Sequence, residues 1–414
     1  MKTALEGLRV LDLSRVLAGP WAGQVLADFG ADVVKVERPG RGDDTRSWGP
    51  PYIGDEADGM SAYFCTANRG KDSLGIDLRH PRGRELLRRL ADTSDVLIEN
   101  FRVGTMARYG LDYGTLSRTN PRLVYCSITA FGQDGPERDA PGYDAIIQGL
   151  GGLMSITGAP ETEDGGGPQK VGVAVADLFC GMYAVSAILA ALQARARDGI
   201  GQFIDLALMD CQVAMLANQA MNYFVDGRIP NRLGNAHPNI VPYQSFATMD
   251  GYLMVAVGND AQFRRLTETL GLAGLADDPR FVSNRSRVEH RESLIPILEK
   301  VFASAPTRRW VARLKAAEVP SGPVNGIDAV FEEPQVRHRG LRLDLTDAAG
   351  RRIPGVANPI RFSATPVGYR AAPPRLGEMG HRVLRDWLNM SSTDISTLSE
   401  EGAIEISGPG KSGK

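Results

Sequence analysis

At 414 residues the chain exceeds what one typical core organises, and two domains are expected. Apolar content of 43% and charged content of 23% are those of an ordinary soluble globular protein. A net charge of −2 provides no general attraction for nucleic acid or for an anionic membrane surface.

Residues 8–13 (LRVLDL) predict a strand, and 20–29 a helix opened by Gly19-Pro20, with proline suited to a first turn. Residues 32–37 (DVVKVE), 73–78, 95–99 (DVLIE) and 123–129 (LVYCSIT) predict further strands, with a helix over 81–91. Strands alternating with helices argue for an α/β fold with a parallel sheet covered on both faces. The pattern continues through a strand at 202–208 and a helix at 210–224. Residues 228–242 are loop-like, and 243–257 read as two strands around Asp250-Gly251, a good hairpin turn. Helices are expected at 260–270, 291–302 and 307–317.

The resulting division is a large domain over 1–225, a smaller α+β domain over 226–326, a proline-rich segment over 327–390 returning to the large domain, and a polar tail over 391–414 expected to be disordered. The N-terminus has no apolar stretch followed by a cleavage site, so secretion is not expected. Cys65, Cys126, Cys180 and Cys211 lie far apart without a C-x-x-C pair, which points to a reducing, cytoplasmic compartment. The five histidines are scattered too, so no metal is expected. The uncharged run 178–194 falls short of a membrane span and reads as a buried core helix.

Asp177 interrupts an otherwise apolar stretch, VGVAVADLFCGMYAVSAILAALQA, over 171–194. The valines at 171, 173 and 175 suggest a strand handing over to a helix. A carboxylate buried there is costly unless something compensates it. One reading makes Asp177 the helix N-cap, accepting N–H bonds at 178–180 and held ionised by the helix dipole. The other makes it a nucleophile, since an ionised carboxylate can attack an activated acyl carbon without a base. The two are compatible.

Around it, Arg38, Arg79 and Arg108 follow expected strands. Ligands of open α/β sheets bind at the carboxyl ends of strands, and cations there suit a phosphorylated ligand. The first βαβ turn, 15–23 (RVLAGPWAG), lacks the G-x-G-x-x-G pattern, so nicotinamide or flavin binding is not expected. Neither a P-loop nor a G-x-S-x-G elbow occurs.

Several long motifs then resemble those of family III CoA-transferases, in that family's order. They are LEGLRVLDLSRVLAGPWAGQVLADFGADVVKVERPGRGDDTR (5–46), VLIENFRVG (96–104), GYDAIIQGLGGLMSITG (142–158), VADLFCG (175–181) and PPRLGE (373–378). The resemblance covers about 4–388. It implies a Rossmann-like large domain, a small domain, and an interlocked homodimer. It implies that Asp177 is the catalytic aspartate. It further implies CoA contacts from Val16, Leu17, Ala18, Arg38, Ile76, Arg79, Asn100, Phe101, Arg108, Thr129, Ala130 and Phe131. A loop at Gly258-Asn259 would cover the intermediate.

Within the family, RPGRGDDTRSWGPP (38–51), GNAHPNIVPYQSF (234–246) and DGYLMVAVGNDAQF (250–263) most resemble dicarboxylate CoA-transferases acting on succinyl-CoA and glutarate. The resemblance implies an acyl-CoA and a carboxylic acid as substrates and no permanently bound cofactor. Related α-methylacyl-CoA racemases carry a histidine where Tyr143 stands. A tyrosine with a pKa near 10 is a poor proton carrier, which disfavours that alternative. A non-catalytic CoA-binding protein is the other. His237, in the Pro-rich entry to the small domain, is a candidate for the acceptor's distal carboxylate or a loop-packing imidazole.

Overall fold

A computed structural model describes residues 2–54 and 59–407. The chain divides into two compact units, residues 1–151, 172–217 and 337–414 in one, and 152–171 and 218–336 in the other. The division differs from the expected one because 152–171 and 218–225 join the smaller unit and the return to the larger unit begins at Arg337 rather than near 327.

The larger unit is built on a seven-stranded sheet. From one edge the strands run Ile404–Glu405, Lys71–Ile76, Asp32–Glu37, Arg9–Asp12, Val96–Glu99, Val124–Thr129 and Phe203–Ala207. All pairings are parallel except that of Ile404–Glu405. The chain adds strands in one direction from Arg9–Asp12, then returns to its other side with Val96–Glu99. The order therefore reverses between these two strands.

Strand periodicity sorts the apolar residues onto two faces. Leu11, Val34, Val36, Leu74 and Leu97 pack against helix Pro81–Asp92 through Leu86, Leu87 and Leu90. Val10, Val33, Val96, Ile98 and Val124 pack against helices Ala18–Asp28 and Val175–Asp198. The latter helix has 24 residues, longer than its uncharged run, and its composition alone would permit a membrane span. It instead buries Ala176, Cys180, Ala184, Val185, Ile188 and Ala191 in this layer.

Three expectations are corrected here. No strand precedes Asp177: Val175 already opens the helix, and residues 171–174 lack regular structure. The expected helix over 210–224 is two, Leu208–Ala214 and Ala217–Asp226, broken where Ala217 takes a φ of 43°. The tail is folded through residue 407. Ser391 caps helix Ser392–Glu400, Ile395 and Leu398 enter the core, and Ile404–Glu405 completes the sheet edge. Residues 408–414 lie outside the described part.

The smaller unit carries an antiparallel three-stranded sheet, Ser321–Pro323, Tyr252–Ala256 and Tyr243–Ala247. The hairpin around Asp250-Gly251 forms as expected. Helix Asp260–Leu270 starts where the Asn259 side chain accepts the Gln262 N–H at 2.9 Å and stops at Gly271, whose φ of 76° suits a residue without Cβ. Phe246, Leu253, Phe263, Leu298, Phe302 and Trp310 fill its core.

Candidate active site

A buried ion network shapes the turn after strand Arg9–Asp12. Asp12 pairs with Lys71 at 2.7 Å, and Lys35 pairs with Asp43 at 2.8 Å. Burial alone would push Asp43 up, but Lys35 and the Thr45 bonds pull it down to about 2. Lys35 also donates to the Ser14 carbonyl at 2.9 Å, and Asp12 accepts from the Ser14 N–H at 3.0 Å. Asn100 grips Arg15 from both sides: its Oδ1 accepts the Arg15 N–H at 2.9 Å and its Nδ2 donates to the Arg15 carbonyl at 2.7 Å. Gly19 is required beneath this turn, because a Cβ there would lie 2.2 Å from Ser14 Oγ.

A cleft opens at the carboxyl ends of the central strands, where strand order reverses and open α/β sheets bind their ligands. Val16, Leu17, Ala18, Asn100, Phe101, Thr129, Ala130, Tyr143 and Asp177 all line it. Arg15, Asp44, Arg102 and Arg138 line it as well; none of these four was singled out from the sequence. A second cleft is lined by Arg38, Ile76 and Arg79. Arg15 and Phe101 line both clefts, with the guanidinium over the ring at 5.2 Å.

The structure therefore brings together most of the expected contacts. Arg79 is already paired with Asp77 at 2.9 Å. Arg108 lines neither cleft and donates to Thr105 Oγ at 3.2 Å. Phe131 packs on the apolar layer under the sheet rather than lining either cleft.

Asp177 is the third residue of helix Val175–Asp198 and is 8% exposed. It is not the N-cap, which is Ala174. The capping acceptor comes from elsewhere. Asp144 Oδ1 accepts the Ala176 N–H at 2.8 Å and the Asp177 N–H at 3.4 Å. Asp144 in turn accepts from Gln148 Nε2 at 2.7 Å. The expectation that the dipole keeps Asp177 readily ionised is reversed. Burial, and then the neighbouring Asp144 carboxylate, push the Asp177 carboxyl up to about 7. Neither Asp144 nor its cap could be found from local spacing, because it acts across 33 residues.

In contrast, the Leu17, Ala18 and Gly19 amides open helix Ala18–Asp28 without a side-chain cap, and they meet no acceptor among the described residues. The cleft thus combines a desolvated carboxyl, unpaired N–H groups and several guanidiniums. That set suits attack on an activated acyl group with charge developing on its oxygen.

The remaining candidates lie in the smaller unit. Gly258 donates its N–H to Gln262 Oε1 at 2.7 Å, and Asn259 is the helix cap. The His237 ring stacks near Tyr243 with centroids 5.2 Å apart, and its Nδ1 accepts the Asn239 N–H at 3.0 Å. Burial, and then Arg291, hold its pKa below the ordinary value. These contacts suit the loop-packing role.

Comparison with known proteins matches residues 5–380 to the model of CoA-transferase family III. The chain is 54% identical to the succinate–glutarate CoA-transferase of Agrobacterium fabrum, over 93% of this chain and 96% of that protein. It is 40% identical to the succinyl-CoA:glutarate CoA-transferase of Homo sapiens, over 97% of this chain and 90% of that protein. The crystal structure of a CAIB/BAIF family protein from Brucella suis matches with a TM-score of 0.83 at 48% identity, covering 94% of this chain and 100% of that one.

Proposed function

The chain belongs to CoA-transferase family III, and from that membership we propose that it moves CoA from succinyl-CoA to glutarate through covalent intermediates on Asp177. The observation that carries this reading is the buried Asp177 carboxyl in a cleft lined by the Val16–Ala18 turn. Relatives named for succinate and glutarate support the substrate pair.

The ionised Asp177 attacks the succinyl-CoA thioester carbonyl, giving an aspartyl–succinyl anhydride and CoA thiolate. The thiolate attacks the aspartyl carbonyl, giving an aspartyl–CoA thioester and free succinate. Glutarate attacks that thioester and releases the thiolate, which then takes the glutaryl group and frees Asp177. No donor or cation stabilises the Asp177 charge among the described residues, and a poorly solvated carboxylate is the more reactive nucleophile.

The N–H groups of Ala176 and Asp177 already bind Asp144. The Leu17 and Ala18 amides are therefore the better oxyanion donors. Arg38 and Arg79 suit the phosphates of CoA, and both clefts together would hold the thioester. The cleft lining includes no histidine among the described residues, which supports covalent transfer over racemisation, for which Tyr143 would be the second proton carrier.

The six parallel strands ordered outward from Arg9–Asp12 support a Rossmann-like reading of the larger unit. An interlocked homodimer is supported by exposed Phe179, Met182 and Tyr183 on one helix and exposed Met221, Phe224 and Val225 on another. The enzyme works in the cytoplasm without a resident cofactor.

The test is Asp177→Ala. Transfer from succinyl-CoA is expected to disappear while CoA binding persists, and hydroxylamine should trap the native enzyme during turnover. Substantial residual transfer by the variant would sink the assignment. A panel of dicarboxylic acids assayed with succinyl-CoA tests glutarate as acceptor.

A further inference from the structure

Val16 has a φ of 71°. A β-branched residue in the left-handed region is strained and persists only where its surroundings impose it. The surroundings here are specific. Both oxygens of Asp43 lie 3.3 Å from the Val16 N–H. Asp43 is itself set by Lys35 at 2.8 Å, with both side chains fully buried, and by Thr45 Oγ at 2.8 Å. Lys35 reaches past it to the Ser14 carbonyl. Immediately after Val16 come the free amides of Leu17 and Ala18, which line the cleft with Asp177.

A buried ion pair contributes little net stability compared with an apolar pair of similar size. Its cost here is matched to a strained residue beside the reacting groups. We propose that the Lys35–Asp43 pair is a positioning device for the reaction. It holds Val16 in its left-handed conformation, so that the Leu17 and Ala18 amides meet the oxygen of the acyl group attacked by Asp177. Both side chains are fully buried, although Asp43 borders the Arg38–Arg79 cleft, so the pair acts through Val16 rather than on the substrate. The inference rests on the nucleophilic role of Asp177.

The experiment compares the full-length enzyme with a Lys35→Met/Asp43→Val double variant, which leaves no lone buried charge, and with Thr45→Val, which only releases Asp43 from one orienting bond. The double variant is expected to lose about 100-fold in kcat, as a displacement of about 1 Å would cause. Its kcat is read per folded molecule, because Val16, Thr45 and the Ser14 carbonyl lose buried partners. Its Kd for free CoA should change less than about threefold, because Arg38 and Arg79 are themselves unchanged and the Asp43 side chain, at the edge of their cleft, is fully buried. Thr45→Val should lose about three- to tenfold in kcat with CoA affinity unchanged. A purely structural role would lower stability but leave kcat per folded molecule intact.

A folded double variant with kcat near wild type overturns the proposal. If that variant does not fold, Thr45→Val turning over at the wild-type rate overturns it. Asp177→Ala in the same assay separates the two ideas. If it retains turnover, the nucleophile reading fails; if it is dead while the double variant is fully active, only the positioning role fails.

Discussion

Replacing Asp177 by asparagine should stabilise the protein, and the gain should depend on pH in a defined way. In the folded chain the Asp177 carboxyl is raised from 3.8 to about 7. Between those values the folded state holds a proton that the unfolded state has released. Stability therefore falls with rising pH through this window, by about 1.4 kcal/mol per pH step, and levels off above pH ~7. The full penalty is about 4 kcal/mol. Asparagine keeps the shape and never ionises, so it carries no such slope. At pH 5.5 it should already exceed wild type by about 2 kcal/mol, and by pH 8.5 the gap should widen by about 2 kcal/mol more. Equilibrium urea unfolding of both proteins, at one protein concentration and several pH values, measures this directly. The same ionisation should govern catalysis, with kcat/KM of wild type rising with pH to a plateau above pH ~7. Parallel stability curves for the two proteins, differing by a constant amount from pH 5.5 to 8.5, would refute the account of Asp177 as a desolvated, unpaired carboxyl.

Asp144→Asn keeps an acceptor for the Ala176 N–H but removes the charge beside Asp177. The acid limb of the pH–rate profile should move to lower pH, by less than the full displacement because burial is the larger cause. Arg38→Ala should raise KM for succinyl-CoA about 10-fold or more with a smaller change in kcat, the loss expected for one charge-assisted phosphate contact. Arg46→Met strips both bonds, 2.6 and 2.7 Å, from buried Glu37; urea unfolding should show a loss of about 3–5 kcal/mol. Removing residues 391–414 would expose the edge strand Lys71–Ile76 and delete Ile395, Leu398 and Ile404 from the core. Each such side chain is worth about 2–5 kcal/mol, so the truncated chain should unfold at markedly lower temperature or fail to accumulate.

Local chemistry made much of this molecule readable. The run DVVKVE at Asp32–Glu37 became a strand as written, because β-branched residues buried on both faces have few other solutions. Helices Asp260–Leu270 and Arg291–Phe302 start and stop at the expected residues. In the first, Asn259 and Gly271 mark both ends. Motif order carried the family, and with it twelve of the residues that line the two clefts.

What escaped the sequence depends on contacts made at a distance. The valines at 171, 173 and 175 alternate as a strand would, yet Val175 opens a helix and residues 171–174 take no regular structure, because backbone hydrogen bonding rather than side-chain alternation decides that outcome. The polar tail reads as disordered, but Ile395, Leu398, Ala403 and Ile404 enter the core and Ile404–Glu405 pairs with the edge strand of the sheet. Asp177 could be located from the sequence alone; its charge state could not. Local pattern supplies a helix start with free N–H groups. The folded chain instead brings Asp144 to bind them and buries the Asp177 carboxyl beside that second acid. Solvation and charge are properties of the assembled surroundings, so only the tertiary structure could turn a presumed stable anion into a carboxyl that holds its proton until near neutrality.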